Sequence, residues 1–281
     1  MPDGRKVKGL YGQVVTGQLP NCWQILNAGL LRNGLVCEPC VNFLVRTAGA
    51  AGTVAAVPTA PLVIAHRGVH GTGVRENTLA AFEAAARAGA DMIELDVRRT
   101  GDGQLVILHD HELERVALSS CALDEFERRT GFRPPLLTEV LDWASGRIGL
   151  DVELKEDGYV PELAPLLSGF AGAGNRLIVT SFLDPVLAQL RDAAPELELG
   201  LLIAWSADRF AQRARDCGAR AVLPEMKLVD ETLVAAVEQA GLGLIVWDFW
   251  TTEHAHWLRD ERILGVITDD VPGARSALAA R

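Results

Sequence analysis

A chain of 281 residues, 49% hydrophobic and 23% charged, has enough apolar material to bury a large core, which excludes a wholly disordered protein. Its formal net charge of -10, from 27 Lys and Arg against 37 Asp and Glu, opposes polyanions and so excludes nucleic acid or an anionic membrane as a general partner. A small phosphate ester handled through a divalent cation stays compatible with that charge.

Residues 1–60 show no sustained periodicity, carry scattered Gly and Pro, and run into the linker-like AGAAGTVAAVPTAP. They are expected to form a poorly ordered N-terminal extension ahead of one domain at 61–281. Within the extension, Cys37 and Cys40 form a CxxC, half of a zinc site or a redox pair without a second ligand pair nearby; the plainer reading is free thiols. The five cysteines imply no disulfide framework. No run of 18 or more uncharged apolar residues occurs, the best candidate, 41–60, being broken by Arg46. With no basic start, apolar stretch and cleavage site after Met1, the expectation is a cytoplasmic protein with no stable membrane association.

From residue 61, short β-branched runs alternate with Ala- and Leu-rich helical patterns, the signature of βα units and a parallel sheet. Strands are predicted at 62–65, 92–97, 148–154, 176–180, 198–203, 220–223, 243–247 and 263–267. Helices are predicted after them at 78–88, 137–144, 160–168, 184–193, 207–216, 229–240, 252–259 and 270–279. Eight such units make an α/β fold of the (β/α)8 TIM barrel type. The second unit holds an insertion, 98–136, with a strand-like QLVIL at 104–108. A long insertion on the face where barrel enzymes place their sites is a functional hint.

Charged residues inside apolar strands are the informative exceptions, because an uncompensated buried charge costs several kcal/mol. In MIELDV, Glu94 and Asp96 share one side of the strand, and in GLDVELK so do Asp151, Glu153 and Lys155. The outer face of a barrel meets helices and is apolar, so these groups face the axis near the C-terminal strand ends. Glu94, Asp96 and Glu153 thus converge, and an oxygen-only set suits Mg2+ or Ca2+. The competing reading is ion pairing with Arg98, Arg99 or Lys155.

His66 in AHRG and His109 in LHD also end strands, where a pair of imidazoles can divide general acid and base work. Arg67 and Lys155 could neutralise phosphate oxygens, or simply salt-bridge the carboxylates. His70, His111, His254 and His256 lack such context and read as surface or insertion residues. Trp247, ending the seventh strand, could wall a pocket or pack in the core. Asp269 could support the site or cap the last helix.

AHRG (65–68), ENTLAAFEAAARAGADMIELDVRRTGDGQLVILHDHELER (76–115), PLLTEVL (135–141), LDVELK (150–155), VTSF (179–182) and ITDDVPGA (267–274) together resemble the glycerophosphodiester phosphodiesterase family, in order and over about 62–280. The resemblance implies a divalent metal and hydrolysis of a small glycerophosphodiester to glycerol phosphate and an alcohol. By matching position it implies His66 and His109 as the acid/base pair, and Glu94, Asp96 and Glu153 as metal ligands. Arg67 and Lys155 become phosphate contacts, Glu76 and Asn77 supports for metal and phosphate, and Trp247 the aromatic that closes the glycerol side. Two departures stand out: Trp247 is followed by Asp248 where the family commonly has Thr, and the stretch between Arg115 and Leu136 is short, which implies an open pocket.

Three rivals stay open at this stage. A related phospholipase C/D-type phosphodiesterase would want a hydrophobic rim or membrane-seeking loop, and the sequence shows neither. A catalytically silent phosphodiester-binding barrel is disfavoured by the full set of histidines and carboxylates. A scaffold binding a partner through the CxxC would be separated by truncating 1–60.

Overall fold

The computed structural model describes residues 60–71 and 73–280, together with two short antiparallel strands, Val7–Lys8 and Val14–Val15. Apart from those strands, the expected irregular extension and the Cys37/Cys40 pair lie outside the described residues.

The eight parallel strands are β1 (Leu62–His66), β2 (Met92–Arg99), β3 (Gly149–Leu154), β4 (Leu177–Ser181), β5 (Leu199–Ile203), β6 (Ala221–Pro224), β7 (Gly243–Val246) and β8 (Gly265–Thr268). Each pairs with its neighbours in chain order, and β1 pairs with both β2 and β8, so the sheet closes into the expected barrel. The helices between strands are α1 (Leu79–Arg87), α2 (Leu137–Ala144), α3 (Val160–Gly172), α4 (Asp184–Ala193), α5 (Phe210–Cys217), α6 (Glu231–Gln239), α7 (Thr251–His254) and α8 (Val271–Ala279).

Strand alternation builds two cores. Outward residues such as Val63, Ile93, Leu95, Val152, Leu201 and Val266 are buried under the helices. Inward residues Ile64, Met92, Ile178, Leu202, Leu223, Ile245 and Ile267 fill the barrel, which is therefore packed rather than hollow. Gly200 makes room for this plug, since a Cβ there would lie 2.5 Å from Leu223 Cδ1 and 2.9 Å from Thr180 Cγ2. The plug forms the floor on which the polar layer of the strand ends sits.

The insertion extends the sheet through Leu105–Ile107, antiparallel to β2 with Val97 opposite Ile107. It then adds a hairpin, Glu112–Leu113 with Val116–Ala117, and a helix, Leu123–Thr130, that sequence patterning did not indicate. Val106, Leu108, Leu118, Leu123 and Phe126 give it a small core of its own. The helix expected at 252–259 is instead one turn, α7, followed by a tighter 3-10 segment, Ala255–Arg259. Thr251, Thr252, His254 and His256 are weak helix formers, and a short 3-10 run needs less of them. Among the described residues no helix is long and apolar enough to cross a membrane.

Candidate active site

The register of the β2–β3 pair sets Glu94 beside Asp151 and Asp96 beside Glu153, and that of β1–β2 sets His66 beside Glu94. Four carboxylates and an imidazole therefore crowd one arc of the barrel mouth. One oxygen from each of Glu94, Asp96 and Glu153 lies within 4.8 Å of the others, and all three side chains are buried.

Two cations serve this cluster. Lys155 Nζ is 2.8 Å from Glu153 Oε1 and 3.1 Å from Asp96 Oδ1, while Arg67 Nε is 3.3 Å from Asp96 Oδ2. Asn77 Nδ2 also donates to Asp96 Oδ2 at 2.7 Å. Asp96 is consequently held below the usual carboxylate range despite its burial, because Lys155 and Arg67 flank it. Among the described residues Glu94 has one hydrogen-bond donor, the backbone N–H of Arg67 at 3.0 Å. Burial first, then repulsion by Asp96, Glu153 and Asp151, pushes it well above the usual range. Burial raises Glu153 too, against the pull of Lys155. The cluster holds more negative charge than its cations balance, and a hard divalent ion on the three oxygens is what the donor set fits.

The turn after β1 holds these partners in place. Arg67 and Asn77 both take left-handed backbone conformations (φ 54), and the Asn77 N–H donates to the Arg67 carbonyl at 3.0 Å. Such strain persists at sites whose surroundings over-determine it. Gly68 follows at φ +82, where a Cβ would meet the Ala81 backbone at 2.7 Å, so α1 packs directly on the turn. Glu76 accepts from Arg67 Nη1 at 3.2 Å and steers the guanidinium. Glu76 thus contacts Arg67, and Asn77 contacts Asp96.

His66 Nδ1 pairs with Asp269 Oδ1 at 2.8 Å, a contact that does not engage Nε2. The bond to His66 lowers Asp269. His109 Nδ1 pairs with Asp110 at 2.9 Å, and its carbonyl is held by Arg98 Nε at 2.8 Å. Burial, with Lys155 and Arg67 nearby, lowers His109 below its ordinary value even though Asp96 opposes this. His109 is tied to the cluster through its neighbour, since the Leu108 N–H donates to the Asp96 carbonyl at 2.9 Å. Trp247 stands across the barrel from the carboxylates, its Nε1 donating to the Leu223 carbonyl at 3.0 Å and its ring edge-on to Phe182.

Several expectations are corrected. Asp270, not Asp269, caps α8, by accepting from Gly273 N at 2.9 Å. Arg98 and Arg99 do not neutralise the carboxylates; they pair with Glu156 and Glu162. His70 is not a plain surface residue, for its Nε2 lies 3.5 Å from the same Asp269 oxygen that binds His66. Asp151, placed on the axis-facing side but not named among the ligands, is fully buried, with Oδ1 bound by Thr180 at 2.7 Å and Oδ2 without a hydrogen-bond partner among the described residues. Burial, against the Thr180 bond, pushes it up to about 7. Strand alternation alone would have nominated it.

The glycerophosphoryl diester phosphodiesterase family model matches residues 66–272. The chain belongs to that family. A glycerophosphodiester phosphodiesterase of Caldanaerobacter subterraneus is 30% identical over 230 residues, covering 74% of this chain and 94% of its own length. The crystal structure of a glycerophosphodiester phosphodiesterase from Thermotoga maritima aligns with a TM-score of 0.63 and 27% identity, over 79% of this chain and 98% of that one. One from Parabacteroides distasonis gives 0.67 at 23% identity, over 79% and 98%, and shows the shared fold.

Proposed function

We propose that the chain is a divalent-metal-dependent hydrolase of glycerophosphodiesters, yielding sn-glycerol 3-phosphate and an alcohol, with residues 61–281 as the catalytic unit. The observation that carries this reading is the buried trio Glu94, Asp96 and Glu153, oxygens within 4.8 Å, flanked by Arg67, Lys155 and two strand-end histidines. Family membership and the activity named for the Caldanaerobacter relative support it.

Glu94, Asp96 and Glu153 would hold the ion, Mg2+ or Ca2+, which when bound supplies positive charge that polarises a phosphoryl oxygen. Arg67 and Lys155 bind the remaining nonbridging oxygens and offset the charge that grows on them. His109, whose environment favours the neutral imidazole, takes the proton of the attacking oxygen. His66, oriented by its Nδ1 contact with Asp269, gives a proton to the departing alkoxide. Trp247 closes the glycerol side of the mouth.

The test is release of glycerol 3-phosphate from a panel of glycerophosphocholine, glycerophosphoethanolamine, glycerophosphoglycerol and glycerophosphoinositol, with each cation and with chelator. Cation-dependent release from at least one member is expected. A full panel without release in the presence of either ion would overturn the reading.

A further inference from the structure

Asp269 serves two imidazoles, of which the proposed mechanism uses one. Its Oδ1 lies 2.8 Å from His66 Nδ1 and 3.5 Å from His70 Nε2, so both rings converge on a single oxygen. The His70 Nε2 atom is buried and makes no hydrogen bond among the described residues. A ring nitrogen withdrawn from water without a full partner costs free energy, and contacts of this length at reaction sites commonly tighten when substrate binds.

The backbone fixes where His70 stands. The segment from Arg67 to Asn77 is closed at its base by the Asn77 N–H on the Arg67 carbonyl, at 3.0 Å. Just before His70, the Val69 N–H donates to the Ala81 carbonyl of α1 at 3.0 Å. Just after it, Gly71 and Val74 exchange two backbone bonds of 3.0 and 2.9 Å. Asp269 is placed with equal care: Thr268 Oγ1 donates to the Phe249 carbonyl at 2.7 Å and accepts from Asp270 N at 3.0 Å. The β8–β1 register, with Thr268 opposite Ala65, brings the two pieces together. Two anchored backbones therefore carry His70 to Asp269, unlike a chance meeting of long surface side chains.

The Asp269 side chain is 42% exposed, against 33% for His66 and 27% for His70. A carboxylate that open, with one partner, exchanges that partner readily for water. A second imidazole on the same oxygen restricts its rotation, and a restricted carboxylate restricts the ring it orients. The bond from His66 is the main cause that keeps Asp269 below the usual carboxylate range, against its burial, and His70 acts in the same sense as His66.

We propose that His70 is a positioning residue for the hydrolytic reaction: through Asp269 it sets the angle of the His66 ring, and with it the line along which Nε2 meets the departing oxygen. The inference rests on the phosphodiesterase reading. His70 moves no proton itself and acts only through the carboxylate. Misplacing a reacting group by about 1 Å costs up to about 10²-fold, so losing one of two restraints on Asp269 is worth about tenfold in kcat.

The experiment measures kcat and KM on the glycerophosphodiester that wild type turns over fastest, for His70→Ala, His70→Gln, Asp269→Ala and the His70→Ala/Asp269→Ala double variant, with unfolding midpoints recorded alongside. His70→Ala is expected to lower kcat about tenfold and leave KM within about twofold. Gln sets an amide N–H near the position of the imidazole Nε2, so His70→Gln should stay within about threefold of wild type. In the Asp269→Ala background, loss of His70 should cost nothing further, because residues that act through one group are non-additive. Should truncation unsettle the turn, His70→Phe keeps a ring without the nitrogen and is expected to be as slow as His70→Ala is above. Unchanged kcat, a raised KM as the main effect, a Gln variant as slow as the knock-out, or losses that multiply in the double variant would each overturn the proposal and leave the phosphodiesterase reading intact. If wild type turns over no diester, that reading fails on this result alone, and the ring-nitrogen resonances of His66 in isotope-labelled protein decide the coupling. A shift in His70→Phe that His70→Gln restores supports it, and resonances unmoved in His70→Phe overturn it.

Discussion

Asp151 offers a quantitative handle on the charge crowding at the barrel mouth. Its carboxyl rises from 3.8 to about 7, burial being the main cause. In the unfolded chain it titrates near its ordinary value, so between about pH 4 and pH 7 the folded state holds a proton that the unfolded state has released. Stability therefore falls as pH rises through this window. A rise of about three pH units, at 1.36 kcal/mol each, amounts to about 4 kcal/mol lost by pH 8. Asp151→Asn keeps an oxygen for the Thr180 hydroxyl and removes the ionisation. Near pH 4 both forms are neutral, so the variant and wild type differ there only by the amide's own fit. By pH 8 the variant gains about 4 kcal/mol relative to wild type, equivalent to about 8 °C or more in Tm for a domain of this size. The assay is thermal unfolding of both proteins from pH 4 to pH 8 in excess chelator, so that no cation masks the effect. Parallel curves, with a constant gap across the range, would refute the reasoning.

Other outcomes follow from the same geometry. His66→Ala and His109→Ala should each lower turnover by about 10²-fold or more with unfolding midpoints close to wild type; unchanged turnover in both would remove them from the mechanism. Because His109 is lowered below 6.5, the acidic limb of kcat/KM should fall below that pH, and a limb above 7 would reassign the base. Asp269→Asn should cut kcat more than it raises KM, since it removes the carboxylate that orients the His66 ring through Nδ1; kcat equal to wild type would reduce Asp269 to a packing role. Gly68→Ala should destabilise the fold by about 2 kcal/mol, because it needs a left-handed conformation against Ala81, and denaturant unfolding measures it.

Much of this was legible in the chain because strand alternation is a strict code. Glu94 with Asp96, and Asp151 with Glu153, had to face the axis once Ile93, Leu95 and Val152 were assigned to the helices. The eight units and the insertion could be counted from periodicity for the same reason. What stayed hidden depends on closure. His66 and Asp269 are 203 positions apart and meet only because β8 returns beside β1. Whether Asp269 or Asp270 caps α8 turns on one residue of backbone geometry, finer than composition resolves. The insertion helix Leu123–Thr130, LDEFERRT, has too few apolar positions for its period to stand out.

The central claim is tested most directly by calorimetric titration of Mg2+ and Ca2+ into the metal-stripped wild type and the Glu94→Gln and Glu153→Gln variants. One ion per chain is expected for wild type, with affinity at least about tenfold weaker in each variant. Equal stoichiometry and affinity in all three proteins would contradict a cation held by the converging carboxylates of β2 and β3.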